Sequence, residues 1–252
     1  MDRQAPPTSE IDAAMTSETV VLTTAEGPTP AVIAEPRWTA RGGVLVVHEV
    51  FGLTDHVTDV CRRFADAGWR AVAPDLYHRQ GSPVFDYTDS AAAVSLRGRL
   101  AGDDILDDLD SGLMVLAESG TAVDRCAVVG FCMGGGIAFH AAVRRPLGAA
   151  VTFYGGGIED GRFGEPSQLD LAAALQTPWL GLYGDLDRSI PVEQVEHLRA
   201  AAARADVDTE VVRYPGVGHA FYNDARPDSY DAAAARDAWA RALTWMDAHV
   251  PK

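Results

Sequence analysis

Short, continuously apolar runs alternate with stretches of helical spacing along most of this 252-residue chain. "GGVLVVHEV" (42–50), "WRAVAPDLY" (69–77), "RCAVVGF" (125–131), "AAVTFYGG" (149–156), "PWLGLYGDLD" (178–187) and "DTEVVRYPG" (208–216) read as strands. A run apolar at every position, rather than at every second one, belongs to a strand covered on both faces. Between the runs, "HVTDVCRRFADAG" (56–68), "DDILDDLDSGLMVLAESG" (103–120), "MGGGIAFHAAVRR" (133–145), "PVEQVEHLRAAAARA" (191–205) and "SYDAAAARDAWARALTWMDAHV" (229–250) read as helices. Strand–helix–strand repetition predicts parallel units in one α/β domain, with Gly68 closing the first helix and Pro74 stopping the second strand of this set. "RQGSPVFDYTD" (79–89) reads as a loop. Ahead of the alternation, "ETVVLTTAEGPTPAVIAEP" (18–36) reads as a β-hairpin turning at Glu26-Gly27-Pro28. The first 17 residues are polar, carry Pro6-Pro7 and read as a mobile tail, which leaves 18–252 as the single folded domain.

Composition narrows the function. The formal charge of −15 argues against nucleic acid, whose phosphates attract clustered Lys and Arg. No apolar run approaches the ~20 residues that span a membrane, and the N-terminus lacks an apolar leader core. Cys61, Cys126 and Cys132 are odd in number and widely spaced, which suits free thiols in reducing cytosol better than a disulfide framework. His48, His56 and His78 lack metal-ligand spacing, so neither a metal nor a cofactor is expected.

In an open α/β sheet, ligands gather at the carboxyl ends of the strands. Glu49, Cys132, Asp187 and His219 all fall at such ends or on the loop that follows. Cys132 sits at the centre of "GFCMG" (130–134), a Gly-x-Cys-x-Gly strand-to-helix turn. Small residues two before and two after let strand and helix backbones approach, and the helix N-terminus beyond favours a thiolate. His219, in "PGVGHAFYN", is placed to take the thiol proton, and an aspartate of "YGDLDRSIP" to hold the imidazole tautomer. Asp185 and Asp187 both fit that description, and spacing alone does not separate them.

The stretches "HEVFGL", "RFADAGWRAVAPDLY", "GFCMGG", "YGDLDRSIP" and "GHAFYN", spread over residues 44–224, together resemble the dienelactone hydrolase family. The resemblance implies the α/β-hydrolase fold, a mostly parallel central sheet flanked by helices on both faces. It implies a Cys-Asp-His triad of Cys132, Asp187 and His219. It also implies that Glu49 holds the resting thiol protonated until substrate displaces it, which would protect the sulfur from oxidation. The oxyanion hole would be the backbone N–H groups of Val50 and Met133. Tyr77, Arg79, Phe221 and Asn223 are expected to line the substrate pocket. Asn223 stands where dienelactone-cleaving relatives carry a carboxylate-binding arginine, and neither Arg97 nor Arg99 aligns with a second one. Little preference for a carboxylated over a neutral substrate is therefore expected, unless Arg226 swings in.

The expected activity is hydrolysis of lactones or small activated esters through a thioester at Cys132. A general carboxylesterase or thioesterase using the same residues is the alternative, and a catalytically silent ligand-binding member the second. The expected partner is a small ester or lactone, with the chain acting as a monomer or at most a dimer.

Overall fold

A computed structural model describes residues 17–24 and 27–252. The polar segment 1–17 therefore lies outside the described residues except for Ser17, which begins β1 (Ser17–Thr24). β1 pairs antiparallel with β2 (Gly27–Ala34), as the hairpin pattern predicts, although two of its connecting residues, 25 and 26, are not described. The alternation then unfolds as β3 (Gly43–Val47), α1 (Asp55–Asp66), β4 (Arg70–Pro74), α2 (Ser90–Arg97), α3 (Gly102–Glu118), β5 (Cys126–Phe131), α4 (Met133–Arg144), β6 (Ala149–Phe153), α5 (Gln168–Leu171), β7 (Trp179–Gly184), α6 (Val192–Ala202), β8 (Thr209–Tyr214) and α7 (Ala232–His249).

The eight strands form one sheet in the order β1-β2-β4-β3-β5-β6-β7-β8. β2 meets β4 antiparallel, and every pairing from β4 across to β8 is parallel. Every residue of β3, β5, β6 and β7 is buried, so side chains pointing to either face are covered by helices. This is the physical content of runs that are apolar at each position. α1 turns Val57, Val60, Cys61 and Phe64 inward and ends in Gly68 at φ +90°, the left-handed residue that closes a helix. Asp231 accepts from the N–H groups of Ala233 and Ala234 and starts α7. β4 stops at Pro74.

Two short helices, α2 and α5, go beyond the sequence reading. The eight residues of α2 are alanine-rich and bury only Ala93, so they carry almost no amphipathic signal. α5 is a single turn started by the Ser167 side chain.

The chain leaves β3 toward β4, then returns to lay β5 on the other side of β3. Such a reversal opens a crevice at the strands' carboxyl ends. β3 delivers Glu49 to it and β5 delivers Cys132.

Candidate active site

Cys132 links β5 to α4 at φ +54°, ψ −113°, a conformation costing roughly 1–3 kcal/mol for a residue with a Cβ. The surroundings enforce it. The Cys132 N–H donates to Phe153 O at the end of β6 (3.0 Å), and Cys132 O accepts from Gly135 N (3.1 Å). The flanking glycines are demanded by contact. A Cβ on Gly130 would lie 1.8 Å from Gly134 O, and one on Gly134 would lie 2.1 Å from Val47 O. The result is a half-buried sulfur at the head of a helix, facing the crevice. Cys61 and Cys126 are buried, and burial pushes their thiols up to about 12 and about 11, which leaves them unreactive.

His219 and Cys132 line the same cleft, near enough for the sulfur to act on the imidazole charge, and His219 Nδ1 lies 2.5 Å from Asp187 Oδ2. Burial alone would lower the imidazole pKa. The Cys132 sulfur and the Asp187 carboxylate reverse that, and the proton is held up to about 10. Asp187 is itself buried; burial disfavours its charge, but His219 and two donors from Ser189 (N at 2.8 Å, Oγ at 2.6 Å) hold it below the usual carboxylate range. Asp185, two residues earlier, turns the other way into a two-pronged pair with Arg213 (2.7 and 2.9 Å). Geometry thus separates the two aspartates that spacing left equivalent.

Val50 and Met133 border the sulfur, and among the described residues neither backbone N–H has an acceptor. The Met133 N–H opens α4 and so has no partner within the helix. The fully buried Tyr77 links the two: its hydroxyl donates to Val50 O (2.9 Å) and reaches Met133 Sδ (3.6 Å). His48 fixes the neighbouring peptide, with Nδ1 2.6 Å from Glu49 O and Nε2 accepting from Leu76 N (3.1 Å).

Glu49 makes no hydrogen bond to the Cys132 thiol among the described residues. Its Oε2 accepts from Asn223 Nδ2 at 2.7 Å, and its Oε1 is buried with no hydrogen-bond partner among the described residues. The Asn223 side chain, expected to line the substrate pocket, is wholly buried beside Glu49 and also accepts from Ala225 N through Oδ1 (3.1 Å). Three other residues expected at the pocket are likewise elsewhere. Tyr77 supports the backbone, as above. Arg79 pairs with Asp108 (2.8 Å). Phe221 is enclosed between the Tyr154 and Tyr214 rings. These side chains are large and apolar or find a carboxylate nearby, and burial took them.

The cleft over Cys132 has a volume of about 240 Å³. Its walls include Phe51, Val94, Ile190 and three arginines, Arg97, Arg162 and Arg226. Arg226 does reach the site, with its guanidinium 5.5 Å from the Phe51 ring centre and 5.6 Å from that of Tyr87. The expectation of little preference for a carboxylated substrate held only if Arg226 stayed away, and Arg226 lines the cleft. Arg162, in "EDGRFGEP", belongs to no motif and gave no signal in the sequence. Tyr154 was missed as well: it packs its ring 5.1 Å from that of His219, at φ +41°. His48, His56 and His78 are each engaged separately, His56 with Asp224 and His78 with Asp108, and among the described residues no acidic, histidine and cysteine side chains cluster as a metal site would. No described helix is long and apolar enough to cross a membrane.

Comparison with known proteins agrees with this architecture. The model of the dienelactone hydrolase family matches residues 29–250. An Escherichia coli protein named "Putative carboxymethylenebutenolidase" is 43% identical over 206 residues, which cover 81% of this chain and 75% of that one. A Methylorubrum extorquens protein of the same name is 38% identical over 229 residues, 88% of this chain and 77% of that one. The crystal structure of a Klebsiella pneumoniae protein described as a "Putative Dienelactone Hydrolase" superposes with a TM-score of 0.84 at 36% identity, covering 93% of this chain and 99% of that one. A metagenomic dienelactone hydrolase-like promiscuous phosphotriesterase superposes with a TM-score of 0.77 at 26% identity, over 95% of this chain and the whole of that one. The chain belongs to the dienelactone hydrolase family and is a hydrolase of ester or lactone bonds with the α/β-hydrolase fold.

Proposed function

We propose that the protein hydrolyses lactones or small activated esters by covalent catalysis at Cys132. The observation that carries the reading is the chain of contacts Cys132–His219–Asp187 beside two acceptor-free N–H groups. The Cys132 thiolate attacks the scissile carbonyl carbon, and the carbonyl electron pair moves onto oxygen. That oxyanion is met by the Val50 and Met133 N–H groups, a kind of contact worth roughly 10²–10³ in rate per donor. The intermediate collapses, the carbon–oxygen bond breaks, and the leaving alkoxide takes the proton of His219.

The high proton affinity of His219 makes physical sense here. Cys132 is one of the groups that hold the proton on the imidazole. Forming the thioester cancels the charge on sulfur, so His219 becomes a stronger acid when the leaving group needs a proton. The neutral imidazole then takes a proton from water, hydroxide attacks the thioester, and the carboxylic acid departs as the thiolate–imidazolium pair is restored. Asp187 holds Nδ1 protonated throughout. The depth of Cys61 and Cys126 and the need for a reduced nucleophile suit a reducing compartment, which we take to be the cytosol.

Hydrolysis of p-nitrophenyl acetate and of an unsaturated γ-lactone tests the reading, with mass spectrometry of the quenched protein. Wild type is expected to turn over both and to show an acyl adduct on the peptide holding Cys132. Cys132→Ala is expected to lose both signals while keeping its thermal unfolding curve. Retained hydrolysis in Cys132→Ala would overturn the assignment, and a wild type that hydrolyses neither would favour a silent binding member.

A further inference from the structure

Three arginines, besides the His219 of the proposed triad, line a cleft of about 240 Å³ in a chain whose net charge is −15. Many arginines elsewhere are paired, among them Arg63 with Asp59, Arg70 with Glu35, Arg79 with Asp108, Arg145 with Asp110 and Arg213 with Asp185; Arg37, Arg99, Arg188, Arg204 and Arg236 stand in solvent, and the half-buried Arg125 donates to the carbonyls of Arg41 and Pro251. Arg97, Arg162 and Arg226 have no carboxylate within 4.0 Å among the described residues. All three are half-buried. Holding uncompensated charge partly out of water is unfavourable, so 36 acidic residues offered many ways to neutralise it.

The charges also sit in two places. β5, which carries Cys132 at its end, is flanked by β3 on one side and β6 on the other. Arg226 lies over Phe51, which follows β3. Arg162 lies over the Gly156–Gly157 segment that follows β6, where a Cβ on Gly156 would come 3.0 Å from Arg162 Nη2. Arg97, the last residue of α2, is near enough to Arg162 for the two charges to repel. The sulfur therefore has Arg226 on one flank and Arg162 on the other, with Arg97 on the same cleft wall and close enough to Arg162 for the two charges to act on each other.

We infer that the cleft is shaped for a doubly anionic ester or lactone, with one anionic group seated on each side of the scissile carbonyl. The inference rests on the cysteine-hydrolase reading above. It assigns Arg226 to one anion and the Arg97–Arg162 pair to the other, and carboxylate or phosphate oxygens both suit the planar forks of guanidinium. A pair of like charges that repel each other is relieved by an anion placed between them, which is the stronger demand of the two sites. The volume lies below the ~300–1,000 Å³ of drug-sized pockets, so the substrate is small and its charges lie close to the bond that breaks.

Four aryl esters test this: a neutral acetate, an ester with a carboxylate on the acyl part, one with a carboxylate on the leaving group, and one with both. Each kcat/KM is divided by the ester's rate with hydroxide, to remove intrinsic reactivity. Wild type is expected to gain about tenfold or more from either anion and about a hundredfold from both, and to lose much of the gain in 0.5 M salt. Arg226→Gln is expected to lower the ratio of charged to neutral substrate for one position of the carboxylate. Arg162→Gln and Arg97→Gln are expected to lower it for the other. A dianion no better than the best monoanion overturns the inference, as does an arginine series that changes no ratio. Cys132→Ala separates the two readings: Cys132-dependent hydrolysis with no charge preference defeats this inference alone, whereas hydrolysis that survives Cys132→Ala defeats the proposed function.

Discussion

Replacing Asn223 by alanine should unsettle the fold more than a polar-to-small change normally does. Asn223 is fully buried and Glu49 nearly so. The 2.7 Å bond from Nδ2 to Glu49 Oε2 involves a carboxylate, a class worth roughly 1.5–3 kcal/mol. Because Glu49 Oε1 has no partner among the described residues, Asn223→Ala leaves the whole carboxylate buried without a donor. The bond from Ala225 N to Asn223 Oδ1 adds about 1 kcal/mol. A total near 3 kcal/mol corresponds to a fall of roughly 6–12 °C in Tm for a domain of this size. The assay is a thermal-unfolding cycle of wild type, Asn223→Ala, Glu49→Gln and the double variant. With Glu49 already an uncharged amide, losing Asn223 should cost only about 1 kcal/mol, which gives a coupling of roughly 2 kcal/mol. A Tm loss below about 2 °C for Asn223→Ala, or a coupling within about 0.5 kcal/mol of zero, would show that Glu49 does not depend on this donor.

Tyr77→Phe removes the hydroxyl that holds Val50 O, so kcat is expected to fall about three- to tenfold with KM nearly unchanged; a change confined to KM would make Tyr77 a substrate contact instead. By NMR, His219 should titrate near 10 in wild type, and in Cys132→Ala its midpoint should move down because the sulfur that helps to hold the proton is gone; an unmoved midpoint would mean that the two side chains share no proton. Gly134→Ala places a Cβ 2.1 Å from Val47 O, a backbone atom of the central sheet, and is expected to cost more than about 3 kcal/mol and nearly all activity. Gly156→Ala meets only the flexible end of Arg162 and is expected to cost less than about 1 kcal/mol; equal losses in the two variants would contradict the contact argument.

Local signals were legible in the sequence. The six runs became β3 to β8; the four central ones are apolar at nearly every position because β3, β5, β6 and β7 are buried on both faces, whereas the edge strand β8 keeps Glu210 and Arg213 and is only partly covered. The glycines around Cys132 marked a close approach of backbones that the contacts to Gly134 O and Val47 O now explain. What stayed hidden depends on partners far along the chain. Asn223 meets Glu49 across 174 residues, and no pattern near either one records it. Tyr77 and Phe221 look like pocket linings because aromatic side chains line pockets, yet the same apolar area is what draws such side chains inside. Arg162 lies in a loop whose composition says only that it is a loop, and its importance arises when β6 carries that loop beside β5.

The turn after His219 divides two duties between two side chains. Asn223 meets Glu49 with a neutral donor inside the protein, while Arg226 reaches the cleft three residues later, its N–H bonded to Asn223 O at 3.0 Å. The two side chains leave the same turn in different directions, one inward and one toward substrate. An arginine at 223 would therefore start from a fully buried position with Glu49 as its nearest oxygen acceptor. Its guanidinium would pair with that carboxylate rather than extend to a ligand, since a buried ion pair is far better than a buried unpaired charge. Asn223→Arg is thus expected to leave the ratio of kcat/KM for anionic and neutral esters within about threefold of wild type, while Arg226→Gln lowers it about tenfold, equivalent to about 1.4 kcal/mol. A tenfold rise in that ratio for Asn223→Arg would mean that position 223 does face the substrate and that the inward course of its side chain is wrong.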